Sequence, residues 1–160
     1  MIIRCFDLCL KGIFTFFFLS VLTGCPGPGD RMIPHETTSV SKQGENVCLD
    51  IPDAQDYQPA DMGINPRGTP SKEKDFNFSP GLTIVNGKLC IPPSFYHFPD
   101  KGKLIFEYVL ISKKHEDEPR KFVVGVGVNN GQVYNFPLID REIARPYGSI
   151  QVSEWLVNIR

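Results

Sequence analysis

The segment Leu104–Ser112 limits the fold most strongly, because its pattern predicts a strand that is largely apolar on both faces. The alternating positions are Leu104, Phe106, Tyr108 and Leu110 on one face and Ile105, Glu107, Val109 and Ile111 on the other. Such a strand belongs in the middle of a sheet with a packed layer on each side. A chain of 160 residues provides enough sequence for one domain of this kind.

Turn signals indicate that the neighbouring elements are strands as well. Asn86-Gly87 separates two short apolar runs and suits a type I′ turn, because both positions of that turn need positive φ. Further strands are predicted at Asn46–Ile51, Phe122–Asn129, Gln132–Phe136 and Ile150–Val157. With 14 Gly, 14 Pro and no long helical pattern, the chain is predicted to be all-β. We expect an antiparallel, immunoglobulin-like β-sandwich of about seven strands.

Two polar stretches are predicted to be solvated loops. Residues 52–80 contain Pro52, Pro59, Pro66, Pro70 and Pro80 and few apolar side chains, and residues 113–121 are almost entirely charged. In the strand after the second loop, Val124, Val126 and Val128 should face the core. Gly125 and Gly127 then lie on the other face, where they let a neighbouring backbone or a partner approach closely.

The N-terminus has the layout of a secretory signal. After Arg4 and Lys11, the 11 residues from Gly12 to Leu22 carry no charge and are followed by small residues. This run is too short to span a bilayer, which takes about 20 apolar residues. The predicted organisation is a lipoprotein signal peptide over residues 1–24, a flexible tether over 25–44 and the β-sandwich over 45–160.

The end of the signal, Leu22-Thr23-Gly24-Cys25, resembles the lipobox of bacterial lipoproteins. The resemblance implies that Cys25 becomes the first residue of the mature chain and carries a diacylglyceryl thioether and a palmitate-like acyl group on its amino nitrogen. Two or three acyl chains hold a protein firmly at a membrane, whereas one does so marginally. Pro26 replaces the Asp that retains such proteins in the inner membrane, so the expected location is the cell outer membrane, facing the periplasm.

The five cysteines divide by position. Cys5 and Cys9 are lost with the signal and Cys25 receives the lipid, which leaves Cys48 and Cys90. Each lies in a short apolar run of an exported chain, where the environment is oxidising. A Cys48–Cys90 disulfide is the preferred prediction, and two separate buried thiols are the alternative.

Neither composition nor motifs indicate an enzyme or a nucleic-acid binder. The chain has 17 basic and 18 acidic residues, whereas nucleic-acid binding needs a concentrated basic surface. His35, His97 and His115 are scattered, and Ser94 near His97 lacks a strained nucleophile turn or an orienting acid. No cluster has metal-ligand spacing. We therefore predict no catalytic residues, no cofactor, no metal and no small-molecule substrate.

The run Pro92–Pro99 is the most distinctive candidate for partner binding. It places Phe95, Tyr96, His97 and Phe98 between prolines, and stiff aromatic segments supply binding anchors. The alternative is that Phe95 and Phe98 plug the open end of the sandwich, and the two roles are compatible. The charged loop 113–121 is a second contact candidate.

The segment Lys88–Gly102, together with Phe122–Val126 and Glu142–Tyr147, resembles a family of small enterobacterial lipoproteins assigned as type VI secretion immunity proteins. The resemblance implies a periplasmic protein that binds and neutralises a toxin effector, without catalytic residues of its own. The alternative function is a structural or accessory envelope lipoprotein, in a secretion apparatus or in pilus assembly.

Overall fold

Nine strands account for most of the regular structure in the computed structural model, which describes residues 33–116 and 118–144. They are β1 (Val40–Gln43), β2 (Asn46–Asp50), β3 (Gln58–Pro66), β4 (Asn77–Phe78), β5 (Ile84–Val85), β6 (Lys88–Ile91), β7 (Lys101–Ile111), β8 (Arg120–Asn129) and β9 (Gln132–Asn135). One 3-10 turn covers Ser71–Glu73. The predicted signal peptide, the lipidation site at Cys25 and the predicted strand Ile150–Val157 lie outside the described residues.

The strands form two antiparallel sheets, in the orders β1-β2-β6-β5 and β4-β3-β7-β8-β9. The prediction of an all-β antiparallel sandwich is therefore confirmed, with nine strands where about seven were expected. The orders correspond to strands A-B-E-D and C′-C-F-G of an immunoglobulin-like sandwich. Strand β9 is an addition beyond the last of these.

Strand β7 is the central element, as its two apolar faces predicted. It pairs with β3 on one side and with β8 on the other. Its inward side chains join those of both sheets in one core, whose largest fully buried members include Tyr108, Phe106, Phe122, Leu49, Met62 and Leu89. The core thus lies between the two sheets, with β7 at its centre.

The hairpin turns at Asn86-Gly87 and Asn130-Gly131 have the backbone that their sequences favour. Asn86 and Gly87 have φ of 51° and 71°, and Asn130 and Gly131 have φ of 48° and 76°. Two consecutive residues with positive φ match a type I′ turn, whose twist suits antiparallel strands. These turns set the register of β5 with β6 and of β8 with β9.

A second apolar cluster covers the outer face of the five-stranded sheet. The chain after β9 crosses this face and places Phe136, Leu138 and Ile143 against Ile105 and Val123. An added Cβ on Gly125 would lie 2.5 Å from the carbonyl oxygen of Phe136, which is too close for any other residue without a backbone shift. The predicted close approach at this glycine is confirmed.

The predicted loop 52–80 was wrong in its central part, because residues 58–66 form β3. The strand pairs with β7 along its length, with a register shift between Pro59 and Asp61. Only Met62 and Ile64 point into the core cluster. On the other face Gly63 allows the ring of Phe76 to pack, since a Cβ there would lie 2.8 Å from that ring.

Part of the segment assigned to the tether is also built into the fold. Glu36 forms a parallel bridge with Phe122 of β8, and Val40–Gln43 is strand β1. The side-chain amide of Asn135 accepts the N–H of Val40 and donates to the carbonyl of Thr38, both at 2.9 Å. The side chain of Asn135 thereby links the edge strands β1 and β9, which belong to different sheets and are not paired through their backbones.

The Cys48–Cys90 disulfide is present, which confirms the preferred prediction. The two residues lie directly opposite each other on β2 and β6, with 4.0 Å between their Cα atoms. The bond therefore fastens the two middle strands of the four-stranded sheet. One of these strands, β6, leads directly into the aromatic run.

Candidate interaction surface

The aromatic loop, residues 92–99, connects β6 to β7. The carbonyl of Pro92 accepts the N–H groups of Phe95 at 2.9 Å and Tyr96 at 3.2 Å, so the chain turns tightly after the two prolines. Proline fixes φ, and these hydrogen bonds fix the turn that follows. The loop is therefore held by its own backbone before any side chain contributes.

Aromatic contacts attach the loop to the core. The Phe98 ring lies 6.1 Å from the ring of Phe106, and Tyr96 meets Phe98 edge to face at 5.0 Å. Phe95, Tyr96 and Phe98 are half-buried against the core cluster, while His97 is exposed. Burial also raises the pKa of the Tyr96 hydroxyl. The loop plugs one end of the sandwich and still presents Tyr96 and His97 at the surface.

Three clefts border this loop. The basic cleft has a volume of about 640 Å³, and its lining includes Pro66, Arg67, Tyr96, His97, Lys101 and Lys103. The edge cleft has a volume of about 610 Å³, and its lining includes Met62, Ile64, Phe76, Phe78, Phe95 and Tyr96. The third, of about 460 Å³, includes Lys42, Glu45, His97, Phe98, Pro99 and Asp100. The exposed side of the loop is thus a ridge between concave surfaces.

The edge cleft opens beside exposed aromatic side chains. Phe78 is 76% exposed and Phe76 is 43% exposed. An apolar rim of this kind next to a cleft is typical of an interaction site. The edge cleft adjoins the basic cleft, since Tyr96 lines both.

Cations form the outer wall of the basic cleft. Arg67 and Lys103 lie over the ring of Phe136, at 4.9 and 5.4 Å from its centroid. Arg67 also makes a two-pronged salt bridge to Glu142, with N–O distances of 2.6 and 2.9 Å. These hydrogen bonds lower the pKa of the Glu142 carboxyl. The wall is therefore set in position by the segment that crosses the outer face of the sheet.

The charged loop predicted at residues 113–121 is shorter than expected, because Arg120 and Lys121 already belong to β8. The described part of this loop is anchored as well. The Asp56 carboxylate accepts the hydroxyl of Ser112 at 2.8 Å and the backbone N–H of Lys114 at 3.2 Å. The Ser112 hydrogen bond also lowers the pKa of Asp56. Tyr57 donates its hydroxyl to the carbonyl of Glu118 at 2.9 Å, so both sides of the loop are tied to the chain before β3.

The two predicted contact regions are at opposite ends of the molecule. The aromatic loop precedes Lys101, where β7 begins, and the charged loop follows Ile111, where it ends. Ten steps of about 3.3 Å along a strand separate them by about 33 Å. The structure brings Phe95, Tyr96, His97 and Phe98 together but does not bring residues 113–121 to the same surface.

The three histidines lie in different environments. His35 accepts the backbone N–H of Ala144 at its Nδ1 atom at 3.0 Å, and His115 stacks on Tyr57 with 6.3 Å between ring centroids. His97 projects from the aromatic loop. No group of three or more His, Cys, Asp or Glu side chains within residues 33–116 and 118–144 is placed to hold a metal ion.

The sequence did not reveal the cationic side of the basic cleft. Arg67 directly follows β3, inside the stretch predicted as a loop, so nothing placed it near residues 101–103. In the structure its backbone N–H donates to the carbonyl of Lys103 at 2.8 Å. The alternate apolar residues Met62 and Ile64 were the available signal. Read as inward positions of a strand, they would have placed Arg67 at the end of that strand.

Residues 35–131 match the family model of a domain of unknown function, DUF7480. The chain belongs to the DUF7480 family. The DUF7480 match covers β1 to β8, the aromatic loop and the turn into β9. No curated protein and no solved structure matches the chain. In the described part of this DUF7480 protein, no helix has the length and apolarity needed to cross a membrane.

Proposed function

We propose that this DUF7480 protein is a lipid-anchored binding protein of the periplasm that neutralises a type VI secretion effector. The observation that carries the proposal is the aromatic loop, which presents Tyr96 and His97 between concave surfaces while Phe98 holds it to the core. Buried aromatic anchors surrounded by a polar rim provide most of the energy in protein interfaces. The resemblance to lipoproteins assigned as immunity proteins gives the class of partner.

The construction of the loop favours tight binding. Association costs free energy for every side chain and loop that must become ordered. Here the hydrogen bonds to Pro92 and the stacking on Phe106 already order the loop, and the Cys48–Cys90 bond fastens the strand that leads into it. A prearranged loop of this kind loses little entropy when a partner docks.

A normal interface cannot cover both ends of the molecule, and the aromatic-loop end is the one that offers aromatic anchors. A stable complex buries about 800 Å² on each partner, which corresponds to a patch roughly 30 Å across. Such a patch fits over the aromatic loop and its clefts but does not also reach the charged loop about 33 Å away. We therefore place the effector at the aromatic-loop end and propose that it is neutralised by covering its active site or its route to substrate.

The proposed lipid anchor fits this role. Acyl chains on Cys25 would keep the sandwich at the inner side of the outer membrane, on a linker of Pro, Gly and polar residues. A toxin that arrives in the periplasm would then meet its inhibitor at a high local concentration. The anchor and the location are proposals from the sequence around Cys25.

A competition experiment tests the proposal. A strain that lacks the gene is grown against a sibling that still delivers the effector, and the deletion strain carries wild type or a variant of the chain. Wild type should restore survival, Tyr96→Ala combined with His97→Glu should not, and Lys113→Glu at the other end should restore it. If the deletion strain survives unprotected and no effector co-purifies with wild type, the immunity function is wrong.

The same experiment addresses the alternative of an accessory envelope subunit. Pilus-type assembly uses strand addition to an exposed sheet edge. Of the four edge strands, β4 and β5 are two residues long, and β1 and β9 are four residues long and are linked by the side chain of Asn135. All four therefore offer few backbone groups to an added strand. Deletion that impairs secretion or piliation, without poisoning by a sibling, would favour the alternative.

A further inference from the structure

We infer that the basic cleft binds an acidic, extended segment of the protein partner, with carboxylates at alternate positions and an apolar side chain between them. The inference rests on the proposed function only in placing the partner at the aromatic-loop end. Its own basis is the charge, the spacing and the apolar wall of the cleft.

The Lys, Arg, Asp and Glu side chains that line this cleft are all cations. They are Arg67, Lys101 and Lys103. Arg67 is paired with Glu142, but neither lysine takes part in a salt bridge among residues 33–116 and 118–144. Since the whole chain has a net charge of −1, this is a local concentration of positive charge rather than a property of the whole surface.

The spacing of the two lysines defines the ligand. Lys101 and Lys103 are alternate residues at the start of β7, so their side chains leave the same face of the sheet about 7 Å apart along the strand. An extended segment also repeats its side chains on one face about every 7 Å. Two carboxylates separated by one residue can therefore meet both ammonium groups at once. The Phe136 ring holds Lys103 in place, 5.4 Å from its centroid.

Apolar residues line the same cleft. Pro66, Tyr96 and Pro99 share with the cations a cleft of about 640 Å³. This volume fits a few side chains, and Tyr96 gives a flat ring with a polar tip for an aromatic or aliphatic group of the ligand. The combination of alternate cations with an aromatic wall is suited to a peptide segment.

Shape and charge favour a protein segment over a membrane or a nucleic acid. A bilayer surface is flat and contacts a broad cluster of cations, whereas these lysines belong to a concave site. Nucleic-acid binding neutralises a series of phosphates along a basic surface, and the adjacent third cleft includes Glu45 and Asp100. Anionic lipid is retained as an outcome of the test.

An NMR titration of the full chain in detergent micelles tests the inference directly. The probe is the peptide Glu-Tyr-Glu-Tyr-Glu, with Gln-Tyr-Gln-Tyr-Gln as its uncharged match. The acidic peptide should shift the amides of residues 101–104 and of Arg67, and the match should not. Binding should weaken as salt rises from about 20 mM to about 300 mM, because the screening length shortens.

Charge reversal supplies the matched variants. Lys101→Glu with Lys103→Glu should weaken the acidic peptide by about tenfold or more, since two attractive contacts become repulsive. Lys113→Glu with Lys114→Glu makes the same charge change at the other end and should leave the affinity within about twofold. Equal weakening by both pairs, or no binding by wild type, overturns the inference. So does phosphatidylglycerol added to the micelles, if it shifts the same amides as strongly as the peptide does.

The competition assay separates this inference from the proposed function. If wild type and the Lys101/Lys103 charge-reversal variant protect equally, the effector is bound without the basic cleft and the inference is wrong while the function stands. If wild type gives no protection but the acidic peptide binds the cleft, the immunity function is wrong and the cleft assignment stands. If wild type protects and the Lys101/Lys103 charge-reversal variant does not, the result supports both the immunity function and the role of the basic cleft.

Discussion

Cys48 and Cys90 lie opposite each other on neighbouring strands of one sheet, whereas the disulfide of an immunoglobulin domain joins its two sheets. The strand order of the sandwich is otherwise the immunoglobulin-like one. The bond therefore does not hold the layers together. It holds β6, and with it the start of the aromatic loop, to β2.

Removing the disulfide should lower stability without changing the fold. The bond closes a loop between positions 42 residues apart in sequence, and such loops give about 2–4 kcal/mol. Cys48→Ala with Cys90→Ala should reduce the free energy of unfolding in urea by that amount. Reductant should destabilise wild type equally and leave the double variant unchanged. A reductant effect on the double variant would show that the loss comes from something other than this bond.

Gly125 and Gly102 form a matched pair for testing the outer layer. An added Cβ would lie 2.5 Å from the Phe136 carbonyl oxygen at Gly125, but 3.5 Å from Pro99 at Gly102, an ordinary contact. Gly125→Ala should cost about 1–3 kcal/mol, because the backbone at Phe136 must move. Gly102→Ala should leave stability unchanged or raise it by up to about 1 kcal/mol. Urea unfolding of both variants measures these changes. If the two variants are equally stable, the backbone at Phe136 moves aside at little cost and the predicted close contact is not important for stability.

The elements that the sequence predicted correctly are those with strong local patterns. The two-residue turns at Asn86-Gly87 and Asn130-Gly131 have the positive φ values that their sequences favour. The central position of β7 followed from apolar side chains on both of its faces. In each case the local pattern and the tertiary structure impose the same conformation.

Strand β3 escaped prediction because its outer face does not carry a strand pattern. Asp61, Gly63 and Asn65 are poor strand formers, and prolines stand near both ends. Tertiary contacts explain two of these residues. Gly63 admits the Phe76 ring, and Asn65 pairs its side chain with both backbone groups of Asp75, at 2.9 and 3.1 Å.

Of the candidate site, the sequence predicted the aromatic loop but not the basic cleft, because the cleft depends on the unrecognised strand β3. The aromatic loop is continuous in sequence and was recognised from its composition alone. The basic cleft also needs Arg67, which is far away in sequence and reaches Lys103 only through the pairing of β3 with β7. A site assembled across unrecognised strand pairing cannot be read from one sequence.

The lipid anchor is tested by Cys25→Ser. Wild type should fractionate with the outer membrane, because each buried methylene of its acyl chains contributes about 0.8 kcal/mol to membrane binding. Its mass should be increased by the mass of those chains. The variant should lack this mass and be released in soluble form when the envelope is opened. Cys5→Ser, within the predicted signal, is the control and should behave as wild type. A variant that stays membrane-bound with unchanged mass would contradict lipidation at Cys25.

The contact between His35 and Ala144 should make the stability of the described domain depend on pH. Burial, with a smaller contribution from the charge of Lys121, lowers the pKa of His35 from 6.5, against a weaker opposing effect of Glu107. Its Nδ1 atom accepts the N–H of Ala144 and can do so only while unprotonated. The unfolded chain therefore binds this proton more readily than the folded chain.

Stability from this contact should be complete above pH 6.5 and should decline as the pH falls toward the lower folded-state pKa. Urea unfolding through this range measures the decline. His35→Gln keeps an acceptor but cannot titrate, so its profile should be flatter than that of wild type. His97→Gln removes an exposed imidazole instead and should retain the slope of wild type. If His35→Gln keeps the full slope, other groups cause the pH dependence and the contact with Ala144 does not.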